Sequence, residues 1–358
     1  VTGTNLNIAL IPGDGIGKEV LPEARRVLEH LVLGRLLPGM HYQEFPWGSD
    51  YYFTYGHMMP SDALEQLRPC DAILLGAVGD PRIQDHQTLN GLLLPIRRGF
   101  DQYACVRPAI YYPGTRSPLA RPQPGSIDFV VIRENTEGEY ANIGGHVYQS
   151  MENEVAVQTA VFTRHGTERV IRYAFELARQ RRRKKLTSVT KSNAQGYGMV
   201  FWDRVFREVS TEFPDVATES LLVDAACMDL VRRPEDFDVI VASNLFGDIL
   251  TDIAAIITGS MGLAPSANLN PSRKFPSMFE PVHGSAPDIA GKGVANPLAM
   301  ILSAAMMLDF LGAADVAAKM QEAVRAVLAE GVSLTRDLGG SASMKECTDA
   351  VIARLGLS

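Results

Sequence analysis

Short apolar or β-branched runs, each followed by a glycine turn and a helical pattern, recur along this 358-residue chain. The runs at 6–11, 72–75, 127–132, 186–190 and 238–242 read as strands. Apolar positions at helical spacing predict helices over Gly17–Leu31, Glu168–Gln180, Met199–Val209 and Phe246–Ile257. That alternation argues for an α/β protein with a largely parallel sheet. The apolar stretch Pro297–Leu311 is interrupted by Ser303 and Asp309 and falls short of the ~20 residues of a membrane span. With Pro at its start and Gly312 after its end, it predicts a buried helix of a soluble protein. Two zones lack either period: 107–126, with Pro108, Pro113, Pro118, Pro122 and Pro124, and 259–275. Either is a candidate domain crossing.

The length suits about two domains of ordinary size. A net charge of −7 with scattered Lys and Arg offers no basic field for a polyanion, which excludes nucleic acid as a partner. The run "RRRKK", residues 181–185, closes a predicted helix, where solvated cations complement the dipole. Cys70, Cys105, Cys227 and Cys347 are far apart and form no C-x-x-C pair, so a reduced, cytoplasmic setting is expected. The N-terminus runs almost directly into a strand, with no basic region or cleavage site, and no secretory signal is expected.

The first strand leads into "IPGDGIGKEV", residues 11–20. Gly13, Gly15 and Gly17 read G-x-G-x-G, one residue short of the dinucleotide fingerprint G-x-G-x-x-G. Glu44, the nearest acid on a plausible second strand, lies well beyond the roughly 20-residue offset of a ribose-binding carboxylate. The standard Rossmann reading fails, which leaves a tight strand-to-helix turn.

Other segments carry candidate chemistry. In "DVIVASNLFGDILTDIAAIITG", residues 238–259, a strand ends at Ala242 and a helix near Phe246 places Asp248 and Asp252 at i, i+4 on one face. Such carboxylates suit Mg²⁺ or Mn²⁺; they would also suit a helix N-terminus and an exposed surface. Asp224, after "LLV", is another strand-end carboxylate or an ordinary loop acid. Arg97, Arg107 and Arg133 sit near element ends, either as carboxylate-binding forks or as surface ion pairs. In "RENTEGEY", Tyr140 is a proton donor or a packed loop aromatic. Lys191, after the strand at 186–190, is a general base if water is excluded around it, and otherwise a snorkelling surface lysine. The loop "EPVHGSAPDIAGKGVANP", residues 280–297, can bring backbone amides close to phosphates. His283 lacks a second histidine at ligand spacing, which rules out a metal role.

Together, "IPGDGIGKEV", "GAVGDP", "FDQYACVRPA", "RENTEGEY", "TKSNAQ", "NLFGDILTD" and "FEPVHGSAPDIAGKGVANP" resemble the metal-dependent β-decarboxylating dehydrogenases. These include isopropylmalate, isocitrate, D-malate and tartrate dehydrogenases. The resemblance covers nearly the whole chain in order. It implies a split two-domain α/β fold unlike the standard Rossmann fold. Residues 1–102 and 260–358 would form the cofactor-binding domain, and 103–259 the dimerisation and metal/substrate domain. It also implies NAD bound without the glycine fingerprint, through Glu280, His283, Gly284, Ser285, Ala286, Asp288, Ile289 and Asn296. Mn²⁺ or Mg²⁺ would be held by Asp248 and Asp252 with Asp224 of a second subunit. Arg97, Arg107 and Arg133 would grip substrate carboxylates, Tyr140 would be the acid, and Lys191, again from the neighbour, the base. The expected assembly is a homodimer with shared active sites.

The substrate implied is a 2-hydroxy dicarboxylate. Isocitrate enzymes carry Ser and Asn where "TLNGLLLPIRR" has Leu93 and Leu94, which disfavours isocitrate. The two leucines would suit the isopropyl group of 3-isopropylmalate, the alternative substrate. However, "PWGSDYY", "HMMPSDAL", "FTRHGTERVIRYAFELA" and "VTKSNAQ" look like the tartrate and D-malate branch, with Asn90 at a position where that branch commonly has a bulkier residue. That branch also suggests K⁺ dependence. A non-catalytic regulatory homologue is a further alternative; it would be expected to lack the metal acids, the Tyr or the Lys, and all are present. Asp288-Ile289 stands where NADP-using relatives carry Lys-Tyr, so NAD is expected.

Overall fold

The computed structural model describes residues 5–120 and 122–356. It divides into two compact units, Val1–Gln102 with Arg107–Ile127 and Ala254–Ser358, and Tyr103–Val106 with Asp128–Ile253. The chain passes between them four times: after Gln102, within the strand Ala104–Ile110, after Ile127 and within the helix Asn244–Ile257. The first unit thus takes in residues 107–127 from inside the segment 103–259. That Pro-rich segment is tied down there, for example by Ser117 Oγ donating to Ile257 O at 2.6 Å.

In the first unit the strands lie in the order Met40–Glu44, Leu6–Gly13, Ala72–Ala77, Ser277–Pro281, Pro265–Leu269. Neighbours are parallel except for the last pair, which is antiparallel. Every residue of Ala72–Ala77 is buried, as expected for a parallel strand covered on both faces, which therefore reads as a continuous apolar run. The zone 259–275, expected to be irregular, contains the strand Pro265–Leu269. All five of its residues are buried, Ser266 and Asn268 included, and these two polar side chains interrupt the continuous apolar run that marks a strand covered on both faces. The helix Leu298–Phe310 is buried on nearly every side. Among the described residues no helix is long and apolar enough to cross a membrane.

In the second unit the strands Asp128–Glu134, Val239–Ala242, Lys185–Thr190 and Ala217–Leu222 neighbour one another in that order, all parallel. Phe175 stacks on Phe213 and Phe206 at ring separations of 4.9 and 5.3 Å, in a core that also holds Trp202 and Val239. An antiparallel ribbon, Gly138–Val147 with Val155–Val161, is largely exposed. In the run at 181–185, Arg182, Arg183 and Lys184 are exposed as expected, whereas Arg181 and Lys185 are partly buried. Arg181 donates to Asp238 Oδ1 at 2.6 Å and to Asp128 Oδ1 at 2.9 Å, and Lys185 pairs with Glu219 at 2.8 Å. Nearby acids, more than the helix end, hold these two cations.

The four cysteines are free. Burial pushes the Cys347 thiol up to about 12, which leaves it protonated and unreactive.

Candidate active site

The glycines of the opening turn each meet backbone from elsewhere in the first unit. A Cβ on Gly13 would stand 2.0 Å from Ala77 O, and one on Gly15 would stand 2.0 Å from Ser285 O. Both residues have positive φ, 69° and 50°, so each position demands glycine twice over. Here the close approach for which a glycine turn is built is made by the protein itself. The turn also holds the later loop in place. Ile16 N donates to Ser285 O at 2.8 Å, and the Glu19 carboxylate accepts from Gly291 N and Gly293 N. Asp14, which the sequence reading passed over, is buried and accepts from Ser49 N, Ser49 Oγ and Gly79 N at 2.7, 2.7 and 2.9 Å.

Beside this turn lies a cavity of about 350 Å³, lined among others by Ile16, Ser260, His283, Ala286, Ile289, Asn296, Arg336 and Asp337. Its volume is in the range of small-ligand sites. His283 Nδ1 is 2.9 Å from Gly284 O, whereas its Nε2 is buried and has no hydrogen-bond partner among the described residues. Burial pushes the His283 pKa down, which favours neutral imidazole. Ala286 is held at φ 41° just before Pro287, a strained conformation of the kind found at ligand sites. Ser285 is buried, and Asp288 is exposed at the loop surface. Asp337 was not legible in the sequence. It lies 41 residues from Asn296, and its carboxylate accepts from Asn296 Nδ2 at 2.9 Å, Ser260 Oγ at 2.5 Å and Thr335 Oγ1 at 2.5 Å.

Glu280 has a different setting. It is buried on the strand Ser277–Pro281, and its Oε1 accepts from Arg97 Nη2 and Asn268 Nδ2, each at 2.7 Å. A buried guanidinium needs such a counter-charge. Arg107 is buried too, its Nε 3.4 Å from Ser266 Oγ. Asn90, Leu93 and Leu94 lie on a helical segment that widens to a π turn over Leu89–Leu93. Pro95 follows, and its missing N–H and ring leave the carbonyl of Gly91 without its usual partner, a recognised cause of such widening. Asn90 Nδ2 donates to His86 O at 2.7 Å, Leu93 packs on the core and Leu94 is buried.

In the second unit, parallel register brings strand ends together. Arg133 pairs with Ala242, so the end of Asp128–Glu134 faces the start of the helix Asn244–Ile257. Arg133 Nε and Nη2 donate to Asn244 Oδ1 at 3.0 and 2.7 Å, and Nη1 donates to Asp248 Oδ1. The Tyr140 hydroxyl donates to Asp248 Oδ2 at 3.1 Å. Asp252 is one turn further along the helix and exposed. Asn244 is a residue the sequence reading missed, because the helix begins two residues earlier than its apolar period indicates.

Likewise Thr190 pairs with Leu222, so Lys191 and Asp224 follow adjacent strand ends, and Lys191 Nζ lies 2.5 Å from Asp224 Oδ1. The lysine holds the Asp224 carboxyl below its ordinary range. Among the described residues no group of three or more His, Cys, Asp or Glu is placed to hold a metal.

The family model for isocitrate/isopropylmalate dehydrogenase matches residues 7–351. The chain is 52% identical over 344 residues to a probable tartrate dehydrogenase/decarboxylase of Agrobacterium vitis, covering 96% of this chain and 94% of that one. It is 50% identical over 353 residues to the D-malate dehydrogenase (decarboxylating) of Escherichia coli strain K12, covering 97% of each. Among solved structures, an isocitrate dehydrogenase from Methylococcus capsulatus superposes with a TM-score of 0.88 at 37% identity, covering 98% of this chain and 99% of that one. With motifs, fold and near-complete coverage in agreement, this chain belongs to the isocitrate/isopropylmalate dehydrogenase family.

Proposed function

We propose that this protein is an NAD-dependent, divalent-metal-dependent oxidoreductase of tartrate and D-malate that converts D-malate to pyruvate and CO₂. The observation that carries the reading is the Asp248 carboxylate, shared by the Arg133 guanidinium and the Tyr140 hydroxyl. The names of relatives about half identical over nearly the whole chain supply the substrate class.

Two carboxylates one helical turn apart, Asp248 and Asp252, form an oxygen donor set that suits Mn²⁺ or Mg²⁺. Among the described residues no third acid joins them in a metal-holding group, and Asp224 of the partner subunit would complete the set. A bound divalent ion would polarise the 2-hydroxyl and the carbonyl that replaces it. NAD⁺, with its adenosine in the cavity at His283, would accept the hydride from C2. Lys191 of the partner takes the 2-hydroxyl proton as the carbonyl forms. The carboxylate β to that carbonyl then leaves as CO₂, its bonding electrons pass to C3, and Tyr140 delivers a proton to C3. Arg97, Arg107 and Arg133 orient the substrate carboxylates. Asp288 accepts from the adenosine ribose hydroxyls and repels a 2′-phosphate, which sets NAD over NADP.

The homodimer with shared sites is supported by apolar side chains left in water. Met228 and Val231 stand three apart on the helix Val223–Arg232, and Ile249 and Ile256 seven apart on the helix Asn244–Ile257, between 43% and 62% exposed. Each pair forms one face, and such faces mark subunit contacts. The four free cysteines support a reducing, cytoplasmic setting.

The test is NADH formation with Mn²⁺, with and without K⁺, on D-malate, (+)- and meso-tartrate, 3-isopropylmalate and isocitrate. Fastest turnover of 3-isopropylmalate would reassign the substrate. No NADH from any of them would favour a regulatory homologue.

A further inference from the structure

Glu139 precedes Tyr140 at the start of the ribbon strand Gly138–Val147 and has no part in the mechanism above. Both of its carboxylate oxygens are engaged at the N-terminus of the helix Asn244–Ile257. Oε1 accepts from Ser243 Oγ at 2.8 Å, and Oε2 accepts from Leu245 N at 3.1 Å. Two further contacts join the same stretches. Asn244 Nδ2 donates to Glu137 O at 3.2 Å, and a Cβ on Gly138 would meet Asn244 Cβ at 3.4 Å. First-turn amides have no partner inside a helix and carry the positive end of its dipole, so a carboxylate there is held by charge as well as by hydrogen bonds. Ser243 donates its hydroxyl to Glu139, and Glu139 in turn caps Leu245 N. One turn further along, the same helix presents Asp248 to the Tyr140 hydroxyl.

We propose that Glu139 is a positioning residue. By fastening its own strand to the start of this helix, it fixes the Tyr140 hydroxyl against Asp248 and so acts in proton delivery through Tyr140. The proposal rests on the functional reading above, in which Tyr140 is the acid. A displacement of about 1 Å in such a group costs up to ~10²-fold in rate.

The experiment compares D-malate turnover with Mn²⁺ at saturating NAD for Glu139→Ala, Glu139→Gln, Tyr140→Phe and each Glu139 change combined with Tyr140→Phe. Glu139→Ala should lower kcat by roughly 10- to 100-fold without changing the KM for NAD. Glu139→Gln, which keeps one acceptor oxygen, should lose less. Neither double variant should be slower than Tyr140→Phe alone, because a residue acting through Tyr140 has nothing left to position. Full-speed turnover by Glu139→Ala, or a double variant slowed by the full product of its single losses, would overturn the proposal and leave the functional reading standing. Wild-type turnover by Tyr140→Phe would overturn both. Should Glu139→Ala fail to fold, Glu139→Gln and its double variant decide by the same criterion.

Discussion

The Tyr140 hydroxyl lies 3.1 Å from Asp248 Oδ2, while Arg133 holds Asp248 Oδ1. The proposed proton donor and a proposed substrate-binding arginine therefore converge on one proposed metal ligand. Tyr140→Phe removes only the hydroxyl, so D-malate turnover is expected to fall by roughly 10²- to 10⁴-fold. Manganese titration of the same variant should show undiminished affinity. Weakened Mn²⁺ binding would assign the hydroxyl to holding Asp248 in place.

Lys191 and Asp224 follow adjacent strand ends and bond to each other, and in the proposed mechanism they are donated together to a neighbouring subunit. One variant carries Lys191→Ala with Asp224→Asn, and a second carries Arg107→Ala with Asp248→Asn. Each homodimer should be inactive. After subunit exchange, half the dimers are mixed and half of the mixed dimers' sites are intact, so about a quarter of wild-type activity should return. No recovery despite verified exchange would mean that each chain builds its own site.

His283 gives a pH dependence whose sign follows from burial. Burial pushes its folded pKa below the unfolded value of about 6.5, with the nearby Asp337 opposing the shift. Below about pH 6.5 the unfolded chain binds the extra proton first, so stability falls as pH drops from there through the folded pKa. The urea midpoint of the wild type should therefore decline more between pH 7 and 5 than that of His283→Gln. Parallel curves for the two proteins would contradict a buried neutral imidazole.

Gly247 lies where the helix Asn244–Ile257 crosses Arg133, and a Cβ there would stand 2.6 Å from Arg133 Cβ and 3.1 Å from its Cα. Replacing a helical glycine with alanine gains up to about 1 kcal/mol from propensity. Overpacking against a fixed neighbour costs about 1–3 kcal/mol, so the clash should win. Gly247→Ala is expected to be less stable in denaturant titration and to lose activity as Arg133 is displaced. A more stable, fully active variant would show that the two backbones can separate without cost.

Much of the fold is legible in the chain because burial is written locally. The apolar runs at 72–75 and 238–242 form strands buried on both faces, and the helical period at 168–180 recurs in the helix Arg164–Gln180. Where burial and polarity disagree, that signal fails. Ser266 and Asn268 are fully enclosed in the strand Pro265–Leu269, and their polar side chains made a buried strand read as loop.

The candidate site divides along the same line. Motif spacing alone placed Asp248 and Asp252 on one helical face and Arg133 at a strand end, because both depend on residues close in sequence. That Asn244 receives Arg133, that Asp337 braces Asn296, that Lys191 meets Asp224 and that Glu139 caps the helix bearing Asp248 were decided by tertiary structure. Each joins segments 33 to 111 residues apart. Their meeting depends on which strands pair and in what register, a choice made by the packing of the whole sheet and its helices. A local hydrophobic period carries the face a residue turns inward, and it contains nothing about the neighbour that face will find.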